Sequence, residues 1–80
     1  MLTYARPYRS AMSSITAPVL LVHGERDRLV PVAAARDAAR RHPAWRYVEL
    51  AGVGHVPQLQ VPDRLARIVL DWLAATAPVV

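Results

Sequence analysis

The chain has 80 residues, enough for one small domain and too few for a multi-domain machine; with 54% hydrophobic and 20% charged residues it is neither wholly disordered nor fibrous. Cysteine is absent, which removes disulfides, thiolate nucleophiles and cysteine-based zinc sites and leaves stability to packing. The formal net charge of +4 comes from arginine without any lysine, and the arginines are scattered, with no interleaved aromatic residues to make a nucleic-acid stacking platform.

The longest apolar stretch, Val19 to Val22, falls far short of the ~20 residues of a membrane-spanning helix, and the N-terminus has no apolar signal core. A cytoplasmic, soluble chain is the expectation, with neither a membrane nor a nucleic acid as partner.

In chain order, Tyr8 to Ser14 has helical spacing of its larger residues, interrupted upstream by Pro7, and predicts a short helix before a Ser/Thr-rich turn. Pro18 to His23 is a continuous aliphatic run closed by Gly24, the pattern of a parallel-sheet strand covered on both faces. A polar loop, Glu25 to Arg28, leads to Val30 and Pro31, where proline suits the first turn of a helix through Ala33 to Arg41. His42 and Pro43 end it, and Arg40 and Arg41 complement its C-terminal dipole. Trp45 to Leu50 reads as a second strand, with Arg46, Val48 and Leu50 on one face and Trp45, Tyr47 and Glu49 on the other. A Gly-rich loop, 51–57, precedes a last helix from Pro62 to about Ala75, whose stripe of Leu65, Ile68, Val69, Trp72 and Leu73 predicts a core-facing side.

A helix of about 12 residues rises ~18 Å, which matches a strand of five or six residues at ~17–20 Å. Strand, returning helix and strand therefore make a parallel βαβ unit, of α/β class, with a right-handed crossover. Both strands end at one edge, where open α/β sheets place their ligand sites. That edge receives Asp27 from the first loop and His55 from the second. A carboxylate bonded to one imidazole nitrogen fixes the tautomer and leaves the other nitrogen as a base, which makes the pair two-thirds of a catalytic triad. Gly52 and Gly54 are expected to let the second loop turn His55 inward. Taken singly, Asp27 reads as a turn or capping residue, Glu25, Arg26 and Arg28 as a solvated loop, and His23, Glu25 and Asp27 as an incomplete metal cluster without a second set of ligands.

The stretch from Ala17 to Pro31, APVLLVHGERDRLVP, followed by Gly54-His55-Val56-Pro57 and a Trp-Leu-bearing helix, resembles the C-terminal portion of an α/β-hydrolase, with its strand-and-acid motif, histidine loop and last helix in the family's order. The resemblance implies that the unit corresponds to the last two strands and last helix of the family's sheet, with residues 1–17 the tail of a cap region and 18–80 an incomplete C-terminal part of the domain. It implies Asp27 as triad acid, His55 as triad base, a small ester or related acyl compound as substrate, and no cofactor or metal. Val56 and Pro57 read either as lining a substrate cavity beside His55 or as stiffening the loop. His23-Gly24 also resembles the turn before an oxyanion hole, but Glu25-Arg26-Asp27 follows where more Gly or Pro is usual. No Gly-x-Ser-x-Gly turn is present. The chain is therefore expected to be inert alone, to depend on the missing N-terminal part of the fold, and to self-associate through open strand edges. Two other readings stay open: a parent with an aspartate nucleophile, of dehalogenase or epoxide hydrolase type, and a non-catalytic remnant or interaction module.

Overall fold

A computed structural model describes residues 11–76. The first three residues of the helix expected at Tyr8 to Ser14 lie outside them; within them, residues 11–13 are helical. The elements that follow are β1 (Leu20–Gly24), α1 (Val32–Arg41), β2 (Arg46–Leu50), α2 (Pro57–Gln60) and α3 (Pro62–Thr76). β1 and β2 pair in parallel, Leu20 opposite Arg46 through Gly24 opposite Leu50, so the α/β class and the βαβ unit expected from the sequence are present.

Several boundaries differ for physical reasons. β1 starts at Leu20 rather than Pro18, although the Val19 carbonyl still accepts the Arg46 N–H at 3.0 Å; proline has no N–H to give a ladder. Pro31 caps α1 from outside instead of lying in its first turn, with φ −58° and ψ 141°. Trp45 stays out of β2 and stacks on His42, ring centroids 4.0 Å apart, while the His42 N–H closes α1 on the Ala38 and Ala39 carbonyls. Arg40 and Arg41 both reach Asp37. The loop expected over 51–57 is followed by one further helical turn, α2, begun by Pro57 at a position where its missing N–H costs nothing.

Alternation along the paired strands sends Leu20, Val22, Arg46 and Val48 to one face and Leu21, His23, Tyr47 and Glu49 to the other. The second face meets α1. There the Arg36 guanidinium grips Glu49 with two bonds of 2.8 Å, and the Tyr47 hydroxyl donates to the same carboxylate at 2.7 Å. Those donors hold the Glu49 carboxyl down at about 2. Burial, then the neighbouring carboxylate, pushes the Tyr47 hydroxyl up to about 12.

The first face looks toward α3 across an open cleft of about 350 Å³, lined by Leu20, Val48, Ile68 and Trp72 among others. The stripe on α3 is accordingly not the core that its spacing predicts. No α3 residue is buried; Leu65, Ile68, Val69 and Trp72 are half-covered, and Leu73 is 49% exposed. β1 is likewise half-buried up to Gly24 rather than covered on both faces. Periodicity shows which side of an element seeks cover; it does not supply the cover.

The buried apolar core among the described residues is Ala35, Leu50 and Val53, with Leu50 fully enclosed. Truncating it leaves a cavity next to the loops at the carboxyl edge. Leu50→Ala is expected to cost about 2–5 kcal/mol, read as a lower urea midpoint by circular dichroism. Leu73→Ala, on the exposed side of α3, should leave that midpoint almost unchanged.

Candidate active site

The first loop is built around one carboxylate whose two oxygens do different work. Asp27 Oδ1 accepts the Leu29 and Val30 N–H groups at 2.9 and 2.8 Å, an Asx-type turn that satisfies two loop donors. Its own N–H returns to the Gly24 carbonyl at 3.2 Å. Oδ2 remains for the other loop and meets His55 Nδ1 at 2.8 Å. The turn is made by one oxygen of Asp27 and the contact with His55 by the other.

Only 4% of the Asp27 side chain is exposed. Burial by itself raises its pKa, but the Val30 N–H, the His55 ring and the Leu29 N–H together outweigh it and bring the carboxyl from its ordinary 3.8 to about 2. The group is an ionised acceptor at neutral pH. His55 Nδ1 is therefore the donor, and a neutral ring carries its lone pair on Nε2. The His55 side chain is 46% exposed, and among the described residues Nε2 has no hydrogen-bond partner.

The two loops reach each other because backbone pairing continues past the strand ends. The Glu25 N–H donates to the Leu50 carbonyl at 2.9 Å, and the Arg26 N–H to the Val53 carbonyl at 2.8 Å. This contact leaves no space for a side chain at Gly24: a Cβ there would overlap the Val53 and Gly54 carbonyl oxygens. In the histidine loop, Gly52 takes a positive φ of 73°, which a residue with a Cβ rarely adopts. Gly54 does not share this conformation; it has instead an N–H donated to Gln60 Oε1 at 2.6 Å. Of the two glycines credited with turning the loop, one turns it and the other is clamped.

Asp27 and His55 are brought together as the sequence suggests. Val56 and Pro57 are half-buried and start α2: the Val56 carbonyl accepts the Leu59 and Gln60 N–H groups, and that of Pro57 accepts Val61. Among the described residues no three His, Cys, Asp or Glu side chains are grouped to hold a metal ion.

Sequence reasoning missed two clamps. Glu25, read as solvated, accepts the Gly52 N–H through Oε1 at 3.0 Å and ties the acid loop to the histidine loop. Gln60 does the same for Gly54 from α2. An acid directly after the strand glycine was the available signal for Glu25; Gln60 had none, because α2 itself was unforeseen.

Because the folded pKa of Asp27 lies below its unfolded value, its contribution to stability is complete above about 3.8 and is lost as pH falls through about 2. A carbon-13 titration should place the Asp27 carboxyl midpoint near 2, and Asp27→Asn should flatten that part of the acid-unfolding curve, leaving the Glu49 share. Gly24→Ala is expected to push the 53–54 backbone away and abolish the downfield His55 Nδ1 proton signal, whereas Gly54→Ala, which meets only the end of the Gln60 side chain, should retain it.

Residues 2–68 match the alpha/beta hydrolase family model. The chain is 37% identical over 67 residues to the pimeloyl-[acyl-carrier protein] methyl ester esterase of Xanthomonas campestris pv. campestris, covering 84% of this chain and 26% of the relative. It is 38% identical over 64 residues to the protein of the same name from Aromatoleum aromaticum, covering 80% and 26%. Over 70 residues it is 31% identical to the biotin biosynthesis bifunctional protein of Teredinibacter turnerae, covering 88% and 12%. The chain thus spans about a quarter of the length of the esterases it matches. A family match across most of the chain, joined to a parallel βαβ unit with an acid and a histidine paired at its carboxyl edge, identifies this chain as a member of the alpha/beta hydrolase family.

Proposed function

We propose that this segment supplies the acid and the base of a Ser-His-Asp triad in a carboxylic ester hydrolase, with the nucleophilic serine carried by sequence outside these 80 residues. The observation that carries the reading is the 2.8 Å bond between His55 Nδ1 and Asp27 Oδ2, with the His55 side chain partly open to solvent.

From that arrangement the reaction follows. His55 Nε2 takes the serine proton as the hydroxyl attacks the ester carbonyl, and the Asp27 carboxylate stabilises the imidazolium that forms. The imidazolium then gives its proton to the departing alcohol. Water enters and loses a proton to the same nitrogen as it attacks the acyl carbonyl; the imidazolium then returns that proton to the serine oxygen as the acyl–serine bond breaks and the acid leaves. Val56 and Pro57, next to the imidazole in sequence, would border the bound ester. The names of the relatives favour an ester over the substrates of an aspartate nucleophile, and a methyl ester on a carrier-bound acyl chain is the first substrate to try. This reading requires no cofactor.

In the full chain, Asp27→Asn is expected to lower kcat on a p-nitrophenyl ester by roughly 10⁴-fold, since the wrong tautomer is then favoured, and His55→Ala by a comparable factor, with folding retained by circular dichroism. Turnover left intact by both substitutions would assign hydrolysis to other groups and make this segment an interaction module.

A further inference from the structure

His23 is the last side chain of β1 before Gly24, and neither an incomplete metal cluster nor a turn before an oxyanion hole accounts for it. Its ring lies under the acid loop, with 12% of the side chain exposed. Nε2 stands 2.8 Å from the Val30 carbonyl oxygen. A carbonyl only accepts, so Nε2 carries the proton and donates it. The same nitrogen is 3.4 Å from Asp27 Oδ2, the oxygen that holds His55.

Val30 is thereby held at both ends of its own backbone. Its N–H goes to Asp27 Oδ1 at 2.8 Å, and its carbonyl goes to His23. The turn that aims Asp27 is fastened at its far end to the strand beneath it, four residues upstream of the acid. Without the His23 bond, a largely buried ring and a carbonyl would need new partners, and the 27–30 turn would lose its hydrogen bond to a β1 side chain. The other ionisable groups near the ring are Asp27 above it and Glu49, its register partner on β2, which is already engaged by Arg36 and Tyr47.

We propose that His23 is a positioning residue for the reaction: it acts through the Val30 carbonyl to hold the Asp27 turn and, through that carboxylate, the orientation of His55. The proposal rests on the triad reading above for its effect on catalysis, though its effect on the His55 ring is independent of it. His23 touches no reacting atom. What it contributes is one N–H at a fixed place, and a glutamine amide can supply the same donor without titrating.

The test compares His23→Leu and His23→Gln in the full chain, each checked for folding by circular dichroism. Two readouts are needed: kcat and KM on a p-nitrophenyl ester, and the His55 Nδ1 proton and ring nitrogen-15 signals by NMR. His23→Leu should lower kcat by roughly 10- to 100-fold with KM nearly unchanged, as expected for a misaimed catalytic pair, and should broaden or lose the His55 Nδ1 proton signal. His23→Gln should restore both. An unchanged His55 signal and unchanged kcat in His23→Leu would overturn the proposal, and so would loss of both in His23→Gln when that variant is folded. If the parent shows no ester turnover at all, the triad reading fails, while the His55 signal in the two variants still decides whether His23 positions the ring.

Discussion

The paired site depends on how closely two backbones approach just beyond the sheet. The parallel ladder of β1 and β2 does not stop at Gly24 and Leu50; it continues as Glu25 to Leu50 and Arg26 to Val53 hydrogen bonds. Only a residue without a side chain can occupy position 24 at that separation. Everything downstream follows from this approach. The Glu25 carboxylate comes within reach of Gly52, Asp27 within reach of His55, and Val53 is sealed into the small core beside Leu50.

Polar groups at this edge are allotted with little redundancy. One oxygen of Asp27 serves the backbone of its own turn and the other serves His55. Its low pKa is therefore chiefly a matter of donors aimed at it, against the opposing effect of burial. On the face toward α1, Glu49 is held low in the same way by Arg36 and Tyr47, but its hydrogen-bond donors there are a guanidinium and a hydroxyl, with no imidazole bonded to it among the described residues. Two carboxyls with similar shifts thus differ in what they present to solvent, which is why a shifted pKa alone is a poor guide to a site.

The face toward α3 has a different character. An amphipathic helix with its larger residues half-covered stands across a cleft from the sheet, in a chain spanning about a quarter of the length of its esterase relatives. The edge is held by backbone pairing, by the Glu25 and Gln60 clamps, and by the enclosed Leu50 and Val53.

By itself the sequence determined the order of β1, α1, β2 and α3, the parallel pairing and the meeting of Asp27 with His55 at one edge. Those features follow from local signals: aliphatic runs closed by Gly24, proline and glycine punctuation, and matching lengths of strand and helix. Tertiary structure alone decided that Asp27 divides its oxygens between turn and imidazole, that Glu25, Gln60 and His23 hold the loops, that Gly54 is clamped rather than twisted, and that Trp72 and Leu73 lie outside the core. Each of these turns on distances between groups apart in the chain, or on whether a facing surface exists, and a pattern of residue types carries neither.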